Sequence, residues 1–129
     1  MKLDILVFGA HPDDAELGAG ATIAKEVAKR ANGLGMKVCA YSLSEIASDQ
    51  NVVACSSLDE MLEQSNFVSL HIPFDKAAGA TIGEAEIAKM KDGAILINCA
   101  RGGTVDEGAL LNALNSGKLA GAGIDVWTN

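Results

Sequence analysis

Apolar and polar positions along this chain alternate between two periods, and the alternation predicts strands and helices in turn. Six short apolar runs of strand length are separated by segments in which apolar residues recur every three or four positions, the spacing of one helix face. The first run, Leu3 to Gly9, opens directly into His11-Pro12-Asp13-Asp14, and the stripe from Leu17 to Ala31 predicts a helix over residues 14–32. The carboxyl end of this first strand is therefore the place where a functional turn is expected.

The rest of the chain continues the alternation. The other predicted strands are residues 37–42, 51–54, 66–72, 94–98 and 121–126, with a short helix at 44–49 and longer helices ending near Gln64, Met90 and Ser116. Ser57, Thr81 and Thr104 each precede a glutamate by three residues, the spacing of a capping box, so they are the predicted N-caps.

This order of elements predicts one fold class. Strands and helices in alternation, with right-handed crossovers, form a parallel sheet covered by helices on both faces. We therefore expect an α/β fold, a doubly wound parallel sheet in a Rossmann-like three-layer sandwich, with strand order 3-2-1-4-5-6 in a single domain over residues 1–129.

The amino-acid composition excludes some classes of binding partner and indicates a cellular compartment. The 10 basic and 17 acidic residues give a net charge of −7, which argues against nucleic acid and against anionic membrane surfaces. Cys39, Cys55 and Cys99 form no C-x-x-C pair and lie mostly in apolar runs, which predicts reduced core residues and a cytoplasmic protein. The alternative is a reactive thiol or a metal ligand among them. The first apolar run is too short for a signal peptide or a membrane span.

The turn after the first strand departs from the dinucleotide-binding pattern G-x-G-x-x-G. Gly9 takes the first glycine position, while His11 and Asp14 replace the second and third. An imidazole and a carboxylate at a helix N-terminus oppose a diphosphate, so the turn predicts lost or weak binding of NAD.

Three long segments carry a family resemblance: EVAKRANGLGMKV, SLDEMLEQSNFVSLHIP and IGEAEIAKMKDGAILINCARGGTVDEGALLNALNSGKLAGAGIDVW. From about residue 26 to 127 the chain resembles the NAD-binding domain of D-2-hydroxyacid dehydrogenases, in the style of D-3-phosphoglycerate dehydrogenase. The resemblance implies that Arg101, in the ARGG motif, engages the substrate carboxylate and carbonyl. It also implies that Ser42 stands where the family has an acidic residue for the adenosine ribose. The alternative for Arg101 is a solvent-exposed loop arginine.

The same resemblance sets expectations about what this chain lacks. The family's catalytic glutamate and histidine lie on later segments than Asn129, and the substrate domain has no counterpart here, so we expect no hydride transfer. A cofactor domain without its substrate domain leaves apolar surface uncovered, which favours a homodimer.

The first 25 residues resemble a different family. The segment GAHPDDAELGAGATIAK, with its HPDD-x-E signature, is similar to zinc-dependent N-acetylglucosaminyl deacetylases. That resemblance implies His11 and Asp14 as zinc ligands and Asp13 as general base, and the family's later histidine has no counterpart. By strand order, His71 at the end of the fourth strand is a candidate third ligand. Alternatively, the two aspartates cap the following helix and His71 is an ordinary strand-end histidine.

Two resemblances in one chain lead to the main hypothesis, an engineered chimera joined near residue 25, without catalytic activity and therefore not an enzyme. On this hypothesis no cofactor is expected, although weak NAD or zinc binding is possible, and Gly9, Ser42, Arg101 and Asp13 are vestigial. The alternatives are a residual, weakly NAD-binding module of a D-2-hydroxyacid dehydrogenase and a vestigial zinc-binding, hydrolase-like site.

Overall fold

In the computed structural model of this chain, residues 4–8, 15–42 and 52–128 are described, with side chains from residue 23 onward. These residues form one parallel sheet flanked by helices. The strands are β1 (Asp4–Phe8), β2 (Lys37–Tyr41), β3 (Val52–Ala54), β4 (Phe67–Leu70), β5 (Ala94–Asn98) and β6 (Leu119–Ile124). The helices are α1 (Ala15–Gly33), α2 (Leu58–Gln64), α3 (Glu84–Lys89) and α4 (Glu107–Ser116).

The strand order is β3-β2-β1-β4-β5-β6, and the five pairings between neighbouring strands are all parallel. The predicted fold class and strand order are therefore confirmed. The short helix predicted at 44–49 lies outside the described residues.

Two apolar clusters show that helices pack against both faces of the sheet. On one face, Ala24, Ala28 and Ala31 of α1 pack with Val38 of β2. On the other face, α2, α3 and α4 close over β4 and β5, and Met61 and Leu96 are fully buried there. Small alanine side chains at helical spacing let α1 lie close to the sheet, and the larger residues build the main core.

The N-terminus of α2 follows the predicted capping geometry in one of its two bonds. Ser57 is the N-cap, and its hydroxyl accepts a hydrogen bond from the amide of Glu60 at 3.1 Å. The Glu60 carboxylate reaches back to Ser56, whose amide donates at 2.7 Å, instead of to Ser57 as the pattern predicts. The carboxylate still satisfies an amide just before the helix, one residue earlier than expected.

The other two predicted N-caps are wrong by two residues. Helix α3 begins after Gly83, whose amide donates to the Glu86 carboxylate at 2.9 Å, and α4 begins after Asp106. The reason is tertiary, because Ile82 and Val105 pair in a parallel bridge that holds the residues before both helices in extended backbone. Thr104 is left inside a loop, where it has a different set of partners.

The end of α4 and the start of β6 are close together. Gly117 adopts the left-handed conformation, with φ of 77°, that the predicted stop at Ser116-Gly117 requires. Strand β6 then starts at Leu119, two residues earlier than predicted.

Within the described ranges, no helix is long and apolar enough to cross a membrane. Leu111 of α4 and Trp127 are exposed apolar side chains, and the homodimer stays a prediction.

Candidate functional site

The sheet order reverses at the neighbouring strands β1 and β4, whose chain connections leave in opposite directions along the sheet. Phe8 pairs with both Tyr41 of β2 and Leu70 of β4, so the carboxyl ends of these strands share one edge. Ligands of open α/β sheets bind outside this edge at the point of reversal. The edge is therefore the candidate site.

The turn after β1 was expected to contribute most of the chemistry. Gly9, His11, Asp13 and Asp14 lie outside the described residues, so their proposed roles stay predictions. Ser42, predicted as the last residue of the second strand, lies directly after β2 and is partly buried. Neither Tyr41 nor Ser42 carries the carboxylate that the dehydrogenase family uses at the ribose.

His71 follows β4 and is buried, with 8% of its surface exposed. Its Nε2 atom lies 2.9 Å from the Ser69 hydroxyl, which is on the same face two residues earlier. Burial lowers the pKa of His71 below its ordinary value, because the protonated ring loses hydration there. Burial therefore favours the neutral form of the ring beside Ser69. Its predicted partners in a zinc site, His11 and Asp14, lie outside the described residues, so that role stays a prediction. Among the described residues, no cluster of three or more His, Cys, Asp or Glu side chains could hold a metal.

Arg101 lies in the loop after β5, with its side chain exposed. Its Nη1 donates to the carbonyl of Ala100 at 2.8 Å, and its own carbonyl points into the loop. That carbonyl accepts one hydrogen bond from Asn98 Nδ2 at 3.1 Å and another from the Thr104 hydroxyl at 2.7 Å. The loop after β5 therefore places the positively charged Arg101 side chain at the sheet edge, and hydrogen bonds hold the main chain of that loop.

Two glycines let neighbouring segments approach this loop. A methyl group added at Gly102 would overlap the carbonyl oxygen of Trp127 and lie 2.7 Å from its carbonyl carbon. Gly103 has φ of +89°, and a methyl group there would lie 2.7 Å from the Phe74 ring. The loop is thus packed between the segment after β4 and the segment after β6.

The prediction from sequence missed Asn98 and Thr104. Both are buried, with 1% and 0% exposed surface. A signal was present, because Ala94, Leu96 and Asn98 share the buried face of β5 and a polar residue on such a face needs partners. Cys99 is on the other side and is exposed, so its predicted place in the core is wrong, whereas Cys39 is buried as expected.

With this geometry established, comparison with known proteins identifies relatives. Residues 17–129 match the family model "D-isomer specific 2-hydroxyacid dehydrogenase, NAD binding domain". A hydroxypyruvate reductase of Thermotoga maritima is 46% identical over 81% of this chain and 34% of its own length. A glyoxylate reductase of Thermococcus litoralis is 43% identical over 81% and 32%. The chain thus spans about a third of the length of these curated relatives.

Solved structures agree with the sequence matches. A glyoxylate reductase from Paecilomyes thermophila has a TM-score of 0.84 at 35% identity, covering 98% of this chain and 36% of its own. A D-lactate dehydrogenase from Aquifex aeolicus, complexed with NAD and lactic acid, has a TM-score of 0.81 at 36% identity, covering 98% and 35%.

These matches correct the main hypothesis from sequence. The family match starts at residue 17 and passes through the predicted joint near residue 25, and the similar structures cover 98% of the chain. The prediction of an engineered, inactive chimera is therefore wrong, and the deacetylase resemblance of the first residues receives no support. The prediction that the chain is not an enzyme is also contradicted, since its relatives are named reductases and dehydrogenases and the chain matches the NAD-binding domain of that enzyme family.

Proposed function

The chain belongs to the D-isomer-specific 2-hydroxyacid dehydrogenases, as their NAD-binding domain, and we propose that it holds NAD weakly for the reduction of a small 2-oxo acid. The family match over residues 17–129 carries this proposal. The names of the relatives, hydroxypyruvate reductase and glyoxylate reductase, support a short 2-oxo acid as the substrate class.

The described residues fit the nicotinamide end of the cofactor better than the adenosine end. After β5, the exposed Arg101 lies two residues from Gly103, against which the Phe74 ring packs, so a cation and an apolar surface adjoin. After β2, Ser42 offers a hydroxyl where a carboxylate would make stronger, charge-assisted hydrogen bonds to a ribose. We therefore expect the chain to bind NAD with low affinity.

Arg101 would act on the substrate. When bound, NADH supplies a hydride equivalent to the carbonyl carbon of the 2-oxo acid. The Arg101 guanidinium has paired N–H donors that match a carboxylate, and its permanent charge also stabilises negative charge that develops on the carbonyl oxygen. Its exposed position at the sheet edge leaves it accessible to such a substrate.

Calorimetric titration with NADH tests the proposal. Ser42→Asp should tighten NADH binding by about tenfold or more, because a charge-assisted hydrogen bond contributes ~1.5–3 kcal/mol. Ser116→Asp is the matched control, since it adds the same charge at the exposed end of α4 and should leave the affinity unchanged. The double variant His11→Gly with Asp14→Gly restores the glycine pattern and should also tighten binding.

One set of results would overturn the proposal. If neither the unaltered chain nor the glycine-restored variant takes up NADH at millimolar concentration, the domain does not hold this cofactor. Equal tightening by Ser42→Asp and Ser116→Asp would show that the added charge acts without contacting a ribose.

A further inference from the structure

We propose that Asn98 and Thr104 are positioning residues that fix the loop backbone so that Arg101 is presented to the carboxylate of the substrate. The inference rests on the proposed function for the role of Arg101. It does not depend on NAD binding, because the network that carries it lies within the chain.

Asn98 uses its whole carboxamide on this loop. Its Nδ2 donates to the Arg101 carbonyl at 3.1 Å and to the Thr104 hydroxyl at 2.9 Å, and its Oδ1 accepts from the Ala100 amide at 3.1 Å. An asparagine amide has two N–H donors, and both are engaged here. A side chain with 1% exposure that has every N–H partnered by one short loop determines the path of that loop.

Thr104 closes the network and anchors its far end. Its hydroxyl accepts from Asn98 and donates to the Arg101 carbonyl, and its own carbonyl accepts from the amides of Thr81 and Ile82 at 2.9 and 3.0 Å. The loop is therefore tied at one end to β5 and at the other to the segment before α3.

The consequence for Arg101 follows from its carbonyl. Two hydrogen bonds from buried donors hold that carbonyl toward the loop interior, and the side chain lies exposed on the rim. If either donor is lost, the peptide plane at residue 101 can rotate, and the main chain that carries the Arg101 side chain is no longer held in one position. Small misplacements of a substrate-holding group can weaken its action by as much as about a hundredfold.

Nuclear magnetic resonance of ¹⁵N-labelled chain measures the order of Arg101 directly. The heteronuclear NOE of the Arg101 backbone amide and of its side-chain Nε–H should match that of β5 amides in the unaltered chain. Asn98→Ala and Thr104→Val should lower the backbone value toward that of a mobile loop, while Thr104→Ser, which keeps the hydroxyl, should restore it. Ser65→Ala is the matched control, because it deletes another fully buried hydroxyl at the opposite end of β4 and should leave the Arg101 signals unchanged.

A second readout connects order to function. With NADH present, oxamate serves as the probe for a 2-oxo acid, and its affinity is followed at the Arg101 Nε–H resonance. Asn98→Ala should weaken oxamate by about tenfold or more while NADH affinity stays the same. Thr104→Val gives the same test if Asn98→Ala does not fold.

The outcomes separate the two proposals. Failure of both the unaltered chain and the glycine-restored variant to take up NADH defeats the proposed function, and the NOE values in the NADH-free chain still decide the positioning role. Arg101 signals and oxamate affinity that stay unchanged in a folded Asn98→Ala or Thr104→Val variant overturn the positioning role, whatever the result with NADH.

Discussion

Replacing Gly102 by alanine should strain the contact between the Arg101 loop and the segment after β6. The added methyl group would meet main-chain atoms, the carbonyl group of Trp127 and, at 3.3 Å, the amide of Thr128. Main-chain atoms cannot rotate away as a flexible side chain does. The segment is also held in place, since the Thr128 amide donates to the Glu107 carboxylate at 2.6 Å and the Asp125 amide to the Asn98 carbonyl at 3.0 Å.

The size of the effect follows from the cost of inserting a methyl group into a packed contact, ~1–3 kcal/mol. A chain of 129 residues has an unfolding entropy of about 0.27 kcal/mol per kelvin, so we expect Tm to fall by about 4–11 °C. Backbone strain contributes nothing, because Gly102 does not have positive φ.

Gly121→Ala is the matched control for this substitution. Gly121 lies within β6, has no positive φ, and a methyl group there meets no atom within 4 Å. Alanine at such a position reduces the entropy of the unfolded chain and should stabilise by ~0.4–1 kcal/mol. The two substitutions are chemically identical and should change Tm in opposite directions.

Thermal unfolding followed by circular dichroism measures both variants. Trp127 is the single tryptophan and is 58% exposed, so its fluorescence quenching by acrylamide reports whether its segment has moved. Gly102→Ala should change the quenching, and Gly121→Ala should not. If Gly102→Ala is as stable as Gly121→Ala and Trp127 is quenched as before, the close packing of the loop is refuted.

Three further predictions follow from single groups. Burial lowers the pKa of His71 below 6.5, so the unfolded state binds more protons than the folded state as pH falls through this range. The free energy of unfolding should therefore decrease as pH is lowered from 6.5 to the folded pKa, and His71→Gln should remove this dependence. A dependence on pH that is unchanged in His71→Gln would contradict the prediction. Burial raises the pKa of the Cys55 thiol to about 12, so iodoacetamide at pH 8 should label the exposed Cys99 and spare Cys55 in the native protein, as peptide mass spectrometry would show. The Asp106 carboxylate accepts from the Ala109 amide at 2.8 Å, so Asp106→Ala should cost ~0.5–2 kcal/mol in urea unfolding while Asp106→Asn costs little.

The spacing of hydrophobic residues predicted the strands and helices well where packing against the sheet determines their bounds. Strand β5 was predicted with its observed bounds, and α1 to within one residue at each end. The capping motifs were less informative, because Thr81 and Thr104 have the right spacing to glutamate but lie in backbone that the bridge between Ile82 and Val105 keeps extended. A pairing between segments so distant in sequence cannot be recognised from four-residue patterns.

The site was predictable in its location and less so in its parts. The structure has Arg101 exposed in the loop after β5, and the role toward a substrate that the resemblance implies for it stays a prediction. The partners of its carbonyl were missed because Asn98 was counted only as the last residue of an apolar strand, and Thr104 was assigned to a helix cap. Their roles depend on a loop that folds back over β5, and only the three-dimensional contacts show which carbonyl they hold.

The chimera hypothesis was wrong because it rested on a short motif, which is weak evidence for a family. HPDD-x-E matches only five fixed positions, and its proposed chemistry needs a third ligand from elsewhere in the fold. His71, the candidate for that ligand, is hydrogen-bonded to Ser69 in the structure. The dehydrogenase segments cover most of the chain and include its turns and strand ends, and a resemblance of that extent constrains the fold at many independent points.

Buried polar side chains are unevenly distributed among the described residues, and most of them lie at the sheet edge that carries the candidate site. Of those in the described residues, only Ser65 lies before the amino end of β4. The rest lie near the carboxyl ends of two strands: Ser69 in the second half of β4, His71 just after it, Asn98 at the end of β5 and Thr104 in the loop beyond. Burying a polar group is unfavourable unless a hydrogen bond replaces its water. Here Ser69 is paired with His71, and Asn98 with Thr104. An apolar core would be easier to pack, so two polar networks at one edge of the sheet support the proposal that this edge holds groups in place for a ligand.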